Sequence, residues 1–231
     1  MMNMMSMMLH NTTTWMAPLI TAADEAAGHA GHAGHAGAGH AERVIEHAVA
    51  ATGYGWAGWI LWLPLISLAL CGLCAARRVK SKLPAWITVA CLGTAFGVTL
   101  ALFLKYDHPI TIHLFEWFNI VWPGGSFVAP FALYIDQLTL LWMLFVTGLG
   151  TLIALYASEY MEPDVGKGYA RFFAGVSVFL FAMSALVMGN NLVMLYLGWE
   201  GVGFASYWLI GYYYQKPSAV AAAKKAFIVN R

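Results

Sequence analysis

YARFFAGVSVFLFAMSALVM (residues 169–188) and NLVMLYLGWEGVGFASYWLIGYYY (191–214) are apolar runs separated only by Gly189 and Asn190. A helix needs about 20 predominantly apolar residues to cross a bilayer, and each run is long enough. Three more such runs lie upstream, at roughly 54–75, 84–105 and 134–157, and a sixth starts at AVAAAKKAFIVNR (219–231). The pattern predicts an all-α fold: a polytopic transmembrane helix bundle of about five complete spans plus the start of a sixth. Composition agrees. Only 10% of residues are charged and 61% are hydrophobic, whereas a soluble domain carries about 25% charged residues.

The formal charge of +1, with basic residues confined to short loops, gives no basis for nucleic-acid binding. Membrane lipid is the expected surround. Cys71, Cys74 and Cys91 all sit in apolar runs, and no second ligand pair follows Cys71-Gly-Leu-Cys74. Small residues in a lipid-embedded helix therefore explain the pair better than a redox or zinc site. No phosphate loop, dinucleotide-binding glycine pattern or nucleophile elbow occurs, so NADH, flavin and iron–sulfur binding are not expected in this chain.

Basic residues predict the orientation. Arg77, Arg78, Lys80 and Lys82 follow the first run; Lys167 and Arg171 fall between the third and fourth; Lys216, Lys224 and Lys225 follow the fifth. Those three loops share one side, and only Arg43 and Lys105 lie opposite, which sends the N-terminus outward. Between the second and third runs, Ile110, Ile112 and Leu114 alternate with Thr111 and His113, and Pro123-Gly124-Gly125 offers a turn. A short β-hairpin or amphipathic loop on the outer face is expected there, with Trp117 and Trp122 at the interface.

Two domains are expected: an outward-facing extension over 1–53 and the membrane domain over 54–231. The extension opens on MMNMMSMM and then repeats histidine at His29, His32 and His35, with His40 and His47 beyond. Its Gly/Ala spacing predicts a flexible low-complexity chain, not a fixed metal geometry. It lacks both the cationic start of a secretory signal and an Arg-rich transit pattern, which favours a bacterial plasma membrane over the mitochondrial inner membrane.

Glu200 is the candidate for chemistry. It lies about ten residues into its run, roughly 15 Å deep at 1.5 Å per residue, where an ionised carboxylate costs about 2.5–3.5 kcal/mol or more. Such a group either stays protonated or meets a cation, and intramembrane acids mark ion pathways. Lys225, after Lys224 in AAAKKAF, could anchor at the interface or turn inward toward Glu200. Asp136 could serve the ion path or simply cap a helix. Gly198, Gly201, Gly203 and Gly211 permit either a close helix approach or room for water. Arg171 is expected to snorkel to the interface, and Glu159, Glu162 and Asp164 to form a solvated loop.

LYIDQLTLLWMLFVTGLGTLIALYASEYM, RFFAGVSVFLFAMSALVMGNNLVMLYLGWEGVGFASYWLIGYYY and AAAKKAFIVNR together resemble the antiporter-like subunit L of respiratory NADH-quinone oxidoreductase, complex I. The resemblance is close over 131–231, extends in topology over 54–130 and leaves out 1–53. It implies a proton-translocating subunit within an NADH:quinone oxidoreductase, without a redox centre of its own. NADH, FMN, iron–sulfur clusters and quinone belong to other subunits. Glu200 matches the family's membrane-embedded glutamate, which works with a lysine on a later helix, and Lys225 matches the lysine of its KAF segment. Implied partners are other complex I membrane subunits, especially a neighbouring antiporter-like one, and a second chain continuing after Arg231. The large subunit of a multi-subunit sodium/proton antiporter or of a membrane-bound hydrogenase shares the fold. A non-pumping structural fragment is a further alternative.

Overall fold

The computed structural model describes residues 52–122 and 125–230, which fall within one compact unit, 51–231. The histidine-rich extension lies outside the described residues. A 3₁₀ turn, Thr52–Gly58, leads into α1 (Trp59–Ala76), and α2 (Leu83–Leu104) returns. A hairpin of β1 (Ile110–Trp122) and β2 (Gly125–Ile135) follows, then α3 (Gln137–Tyr160), α4 (Tyr169–Met188), α5 (Leu192–Ile210) and α6 (Pro217–Asn230).

Four helical segments are long and apolar enough to cross a membrane: Tyr54–Ala76, Leu83–Leu104, Gln137–Tyr160 and Tyr169–Met188. The run expected over 191–214 does form a helix, α5, but a shorter one of 19 residues that is not among those four. Its glycines, aromatic residues and Glu200 dilute its aliphatic content.

Helix ends follow local chemistry. Asp136 caps α3 by accepting the Thr139 N–H at 2.7 Å, and Asn191 caps α5 by accepting the Met194 N–H at 2.9 Å. Pro84 sits in the first turn of α2, where its missing N–H costs no helical bond. α4 is the central helix, with twelve of its 20 residues buried, and it packs against α1, α2, α3 and α5.

The hairpin is longer than expected, pairing from Ile110↔Ile135 to Trp122↔Gly125. Its two register shifts, between His113 and Phe115 and between Glu116 and Phe118, leave Leu114 and Trp117 without opposite partners. Such bulges reset the two-residue alternation, which explains why only the first half of β1 reads as a strand. The base of the hairpin is core: Ile110, Ile112, Phe131, Leu133 and Ile135 pack with Leu61, Leu102 and Met143. Its β2 strand also seals the α4–α5 turn, through a Leu133↔Gly189 bridge and an Asn191 Nδ2 donation to the Pro130 carbonyl at 2.7 Å.

At the other end of the bundle the basic loops meet. Lys82 Nζ pairs with Glu159 at 2.9 Å and Glu162 at 3.2 Å, and these carboxylates hold the lysine's pKa above its ordinary value. The expected solvated acidic loop is therefore engaged: Asp164 also accepts the Tyr213 hydroxyl at 2.9 Å.

The glycines of α5 divide between two faces. A Cβ at Gly198 would lie 2.5 Å from the Leu186 backbone nitrogen, and one at Gly201 2.8 Å from Ala182 Cβ, so both serve the close approach to α4. A Cβ at Gly203 would meet only Asn230, at 3.7 Å. Gly198→Ala is expected to force the helices apart and destabilise the fold by about 1–3 kcal/mol, as overpacking does. Gly203→Ala should change little, and thermal unfolding of both variants in detergent checks the contrast.

Candidate functional site

Glu200 is half-buried near the middle of α5. Helical periodicity sets its direction. Gly198 and Gly201 face α4, whereas Gly203 meets Asn230, Tyr207 stacks edge-on to Phe227 at 5.6 Å, and a Cβ at Gly211 would lie 3.3 Å from Ala223 Cβ. Residues three, seven and eleven apart share a helix stripe. Glu200 therefore belongs to the stripe with Gly203, Tyr207 and Gly211 that faces α6, and it is turned away from the tight α4 contact.

The same contacts give the register of α6. Ala223 is level with Gly211 and Phe227 with Tyr207, so the helices run antiparallel and Lys225 is level with about Leu209. That leaves about nine residues, or ~14 Å along the axis, between the levels of Lys225 and Glu200. Lys224 and Lys225 are both exposed. Lys224 lines a groove with Phe204, Tyr207, Phe227 and Ile228 on the side of α5 that carries Glu200. Asp136 lies at the hairpin end of α3, where the Thr139 N–H holds its carboxyl below the usual carboxylate range. The structure thus places Glu200 and Lys225 on facing helices at different levels, and Asp136 on another helix.

A cavity of about 240 Å³ lies on the same side of α5, lined by Arg171, Phe204, Tyr207, Trp208, Tyr212 and Tyr214 among others. The Trp208 indole N–H is buried with no acceptor among the described residues. Arg171 does not simply snorkel. Its guanidinium carbon lies 5.3 Å from the Tyr212 ring centre and 4.8 Å from that of Tyr214, and Nη2 donates to the Tyr212 carbonyl at 3.2 Å.

A second polar group is absent from the sequence reading. Ser67 of α1 meets Ser177 of α4 at 2.8 Å and Thr88 of α2 at 3.1 Å, and Cys71 Sγ lies 3.3 Å from Thr88 Oγ1. All four residues are fully buried. Thr88 and Ser177 also donate to the Pro84 and Phe173 carbonyls, four residues back. Satisfied hydroxyls of this kind join helices in apolar surroundings. Each hydroxyl is visible in the sequence, but their meeting depends on three helices crossing.

Two family models match. Residues 117–173 match the complex I chain 5 N-terminal domain of NADH-ubiquinone oxidoreductase, and residues 189–231 match the NADH:quinone oxidoreductase/Mrp antiporter transmembrane domain. The chain is 43% identical over 143 residues to NADH-quinone oxidoreductase subunit L of Mycobacterium tuberculosis (strain CDC 1551 / Oshkosh), covering 59% of this chain and 22% of that protein. Subunit L of Escherichia coli K12 is 43% identical over 145 residues, 63% of this chain and 22% of that protein. The chloroplastic NAD(P)H-quinone oxidoreductase subunit 5 of Adiantum capillus-veneris is 38% identical over 152 residues, 65% of this chain and 20% of that protein. The matches cover about a fifth of the length of these curated relatives.

Asp136→Ala is expected to cost about 1 kcal/mol, the usual value of an N-cap, and Asp136→Asn much less. Because the folded pKa is lowered, the contribution of the charged form is present above the unfolded pKa and is lost as pH falls through the folded value. Acid titration of unfolding should show that loss in the parent and not in Asp136→Asn. By these family and sequence matches the chain is similar to the N-terminal part of NADH-quinone oxidoreductase subunit L.

Proposed function

We propose that this chain is a proton-translocating membrane subunit of NADH-quinone oxidoreductase, with Glu200 as the protonatable group of its half-channel. The observation that carries the reading is the placement of Glu200: a carboxyl at mid-helix, turned from the close α4 contact toward the α6 face, within the segment that matches the antiporter-like domain. At mid-membrane depth its proton is held or released according to the nearest cation. A lysine brought to that level alternates with the proton as counterpart. Lys225, level with Leu209, serves the basic end of the path and not the immediate pair. Asp136 holds α3 at the hairpin end.

The same reading makes α5 a fifth span and α6 the start of a sixth. It also puts the basic loops on the cytoplasmic or matrix side, with the hairpin and N-terminus outside. NADH, FMN, iron–sulfur clusters and quinone are bound by other subunits. Partners are the other complex I membrane subunits, among them a neighbouring antiporter-like subunit. The location is an energy-transducing membrane, in preference a bacterial plasma membrane.

The family description over 189–231 also names the Mrp antiporter, which supports a second reading as the large subunit of a multi-subunit sodium/proton antiporter. Copurified quinone-site and redox subunits favour the first reading, and their replacement by small antiporter subunits favours the second. In the assembled complex, Glu200→Gln should lower the protons translocated per NADH oxidised. A full ratio in a fully assembled Glu200→Gln complex would sink the role given to Glu200.

A further inference from the structure

We propose that Arg171 is a positioning residue of the proton path: its guanidinium clasps the α5–α6 turn and so sets where α6 lies beside the Glu200 stripe of α5. The proposal rests on the reading of Glu200 just given.

The turn, residues 211–216, is YYY flanked by Gly211 and by Gln215-Lys216. Each of its three tyrosines is held from the α3–α4 side. Tyr212 and Tyr214 present their rings to the Arg171 guanidinium at 5.3 and 4.8 Å. The Tyr212 carbonyl accepts from Arg171 Nη2 at 3.2 Å. Tyr213 donates to Asp164 at 2.9 Å and carries Lys216 Nζ over its ring at 4.9 Å. Gly168, immediately before α4, has φ 138°, a conformation that favours glycine, and a Cβ there would sit 3.2 Å from Tyr212 Oη. The α3–α4 loop is itself tied to the α1–α2 loop by Lys82 with Glu159 and Glu162. The clasp therefore connects the α5–α6 turn to the rest of the bundle.

α6 needs such an anchor. Among the described elements, α5 is the one it packs against substantially, and of α6 only Ala223 is fully buried. The Trp199 indole N–H holds the far end of α6, donating to the Asn230 carbonyl at 3.3 Å, and the turn, with Pro217 directly after Lys216, sets where the helix starts. A planar guanidinium suits this clasp: it stacks on aromatic faces while its edge donates to a carbonyl. Lysine keeps the cation over the rings but loses the planar fork. With the clasp removed, the turn opens locally, α6 shifts, and Lys224 and Lys225 leave their level on the α5 face.

The test uses the assembled membrane complex carrying Arg171→Gln, Arg171→Lys or Tyr214→Leu. Hydrogen exchange over 211–216 and protons translocated per NADH oxidised are measured at matched amounts of assembled complex. Arg171→Gln is expected to speed exchange in the turn by about tenfold through local opening and to lower the proton ratio toward that of Glu200→Gln. Tyr214→Leu should move both readouts the same way by less, and Arg171→Lys should recover most of the ratio. A normal ratio in Arg171→Gln overturns the proposal. So does a lowered ratio without faster exchange over 211–216, or one that Arg171→Lys does not recover. The Glu200→Gln complex separates the failures. A normal ratio there overturns the reading of Glu200 and this proposal with it; a low ratio there beside a normal one in Arg171→Gln overturns the proposal alone.

Discussion

The near-contact of Gly198 with the backbone of Leu186 sets the geometry of everything around Glu200. A side chain of any size at 198 would collide with α4, so the residue types at 198 and 201 fix both the distance and the rotation of α5. Once those two positions face α4, a residue at 200 cannot, because successive helical residues are turned by about 100°. Helical periodicity thereby delivers the carboxyl to the opposite stripe. Close packing of small residues is how helices associate where lipid offers no hydrophobic driving force.

The two ends of the bundle are organised by different chemistry. At one end an apolar hairpin base plugs the helices, with Ile110, Phe131, Leu133 and Ile135 in a common core with α1, α2 and α3. Asn191 ties that plug to the start of α5 by capping the helix and donating to the Pro130 carbonyl. At the other end, charge and aromatic contacts among three loops do the joining. α5 runs between the two, with Glu200 about 12 Å from its hairpin end at 1.5 Å per residue. The buried Ser67–Ser177–Thr88 cluster holds α1, α2 and α4 together away from that stripe.

Apolar run length made the helices legible: the run over 169–188 coincides with α4, and 84–105 differs from α2 by one residue at each end. Asp136 was readable as a helix-start acid, and it caps α3. The hairpin was legible only to Leu114, where the first bulge breaks the alternation that marks a strand. The roles of the glycines were left open between packing and water, because the choice depends on which face meets which helix. Gly198 and Gly201 prove to be packing positions. Arg171 read as a snorkelling residue, since its partners Tyr212 and Tyr214 lie some forty residues downstream, as the 41-residue separation of its hydrogen bond records. Longer separations in sequence, 77 residues for Lys82–Glu159 and 49 for Asp164–Tyr213, hid the engagement of the acidic loop.

A Glu200 that exchanges its proton during turnover would change the vibrational signature of its carboxyl. Infrared difference spectroscopy on the assembled membrane complex, driven by NADH, reads carboxyl protonation directly. With Glu200 in the role proposed above, a protonated-carboxyl stretching signal is expected to change on turnover and to be missing in Glu200→Gln. Identical difference spectra from the parent and Glu200→Gln complexes would contradict it.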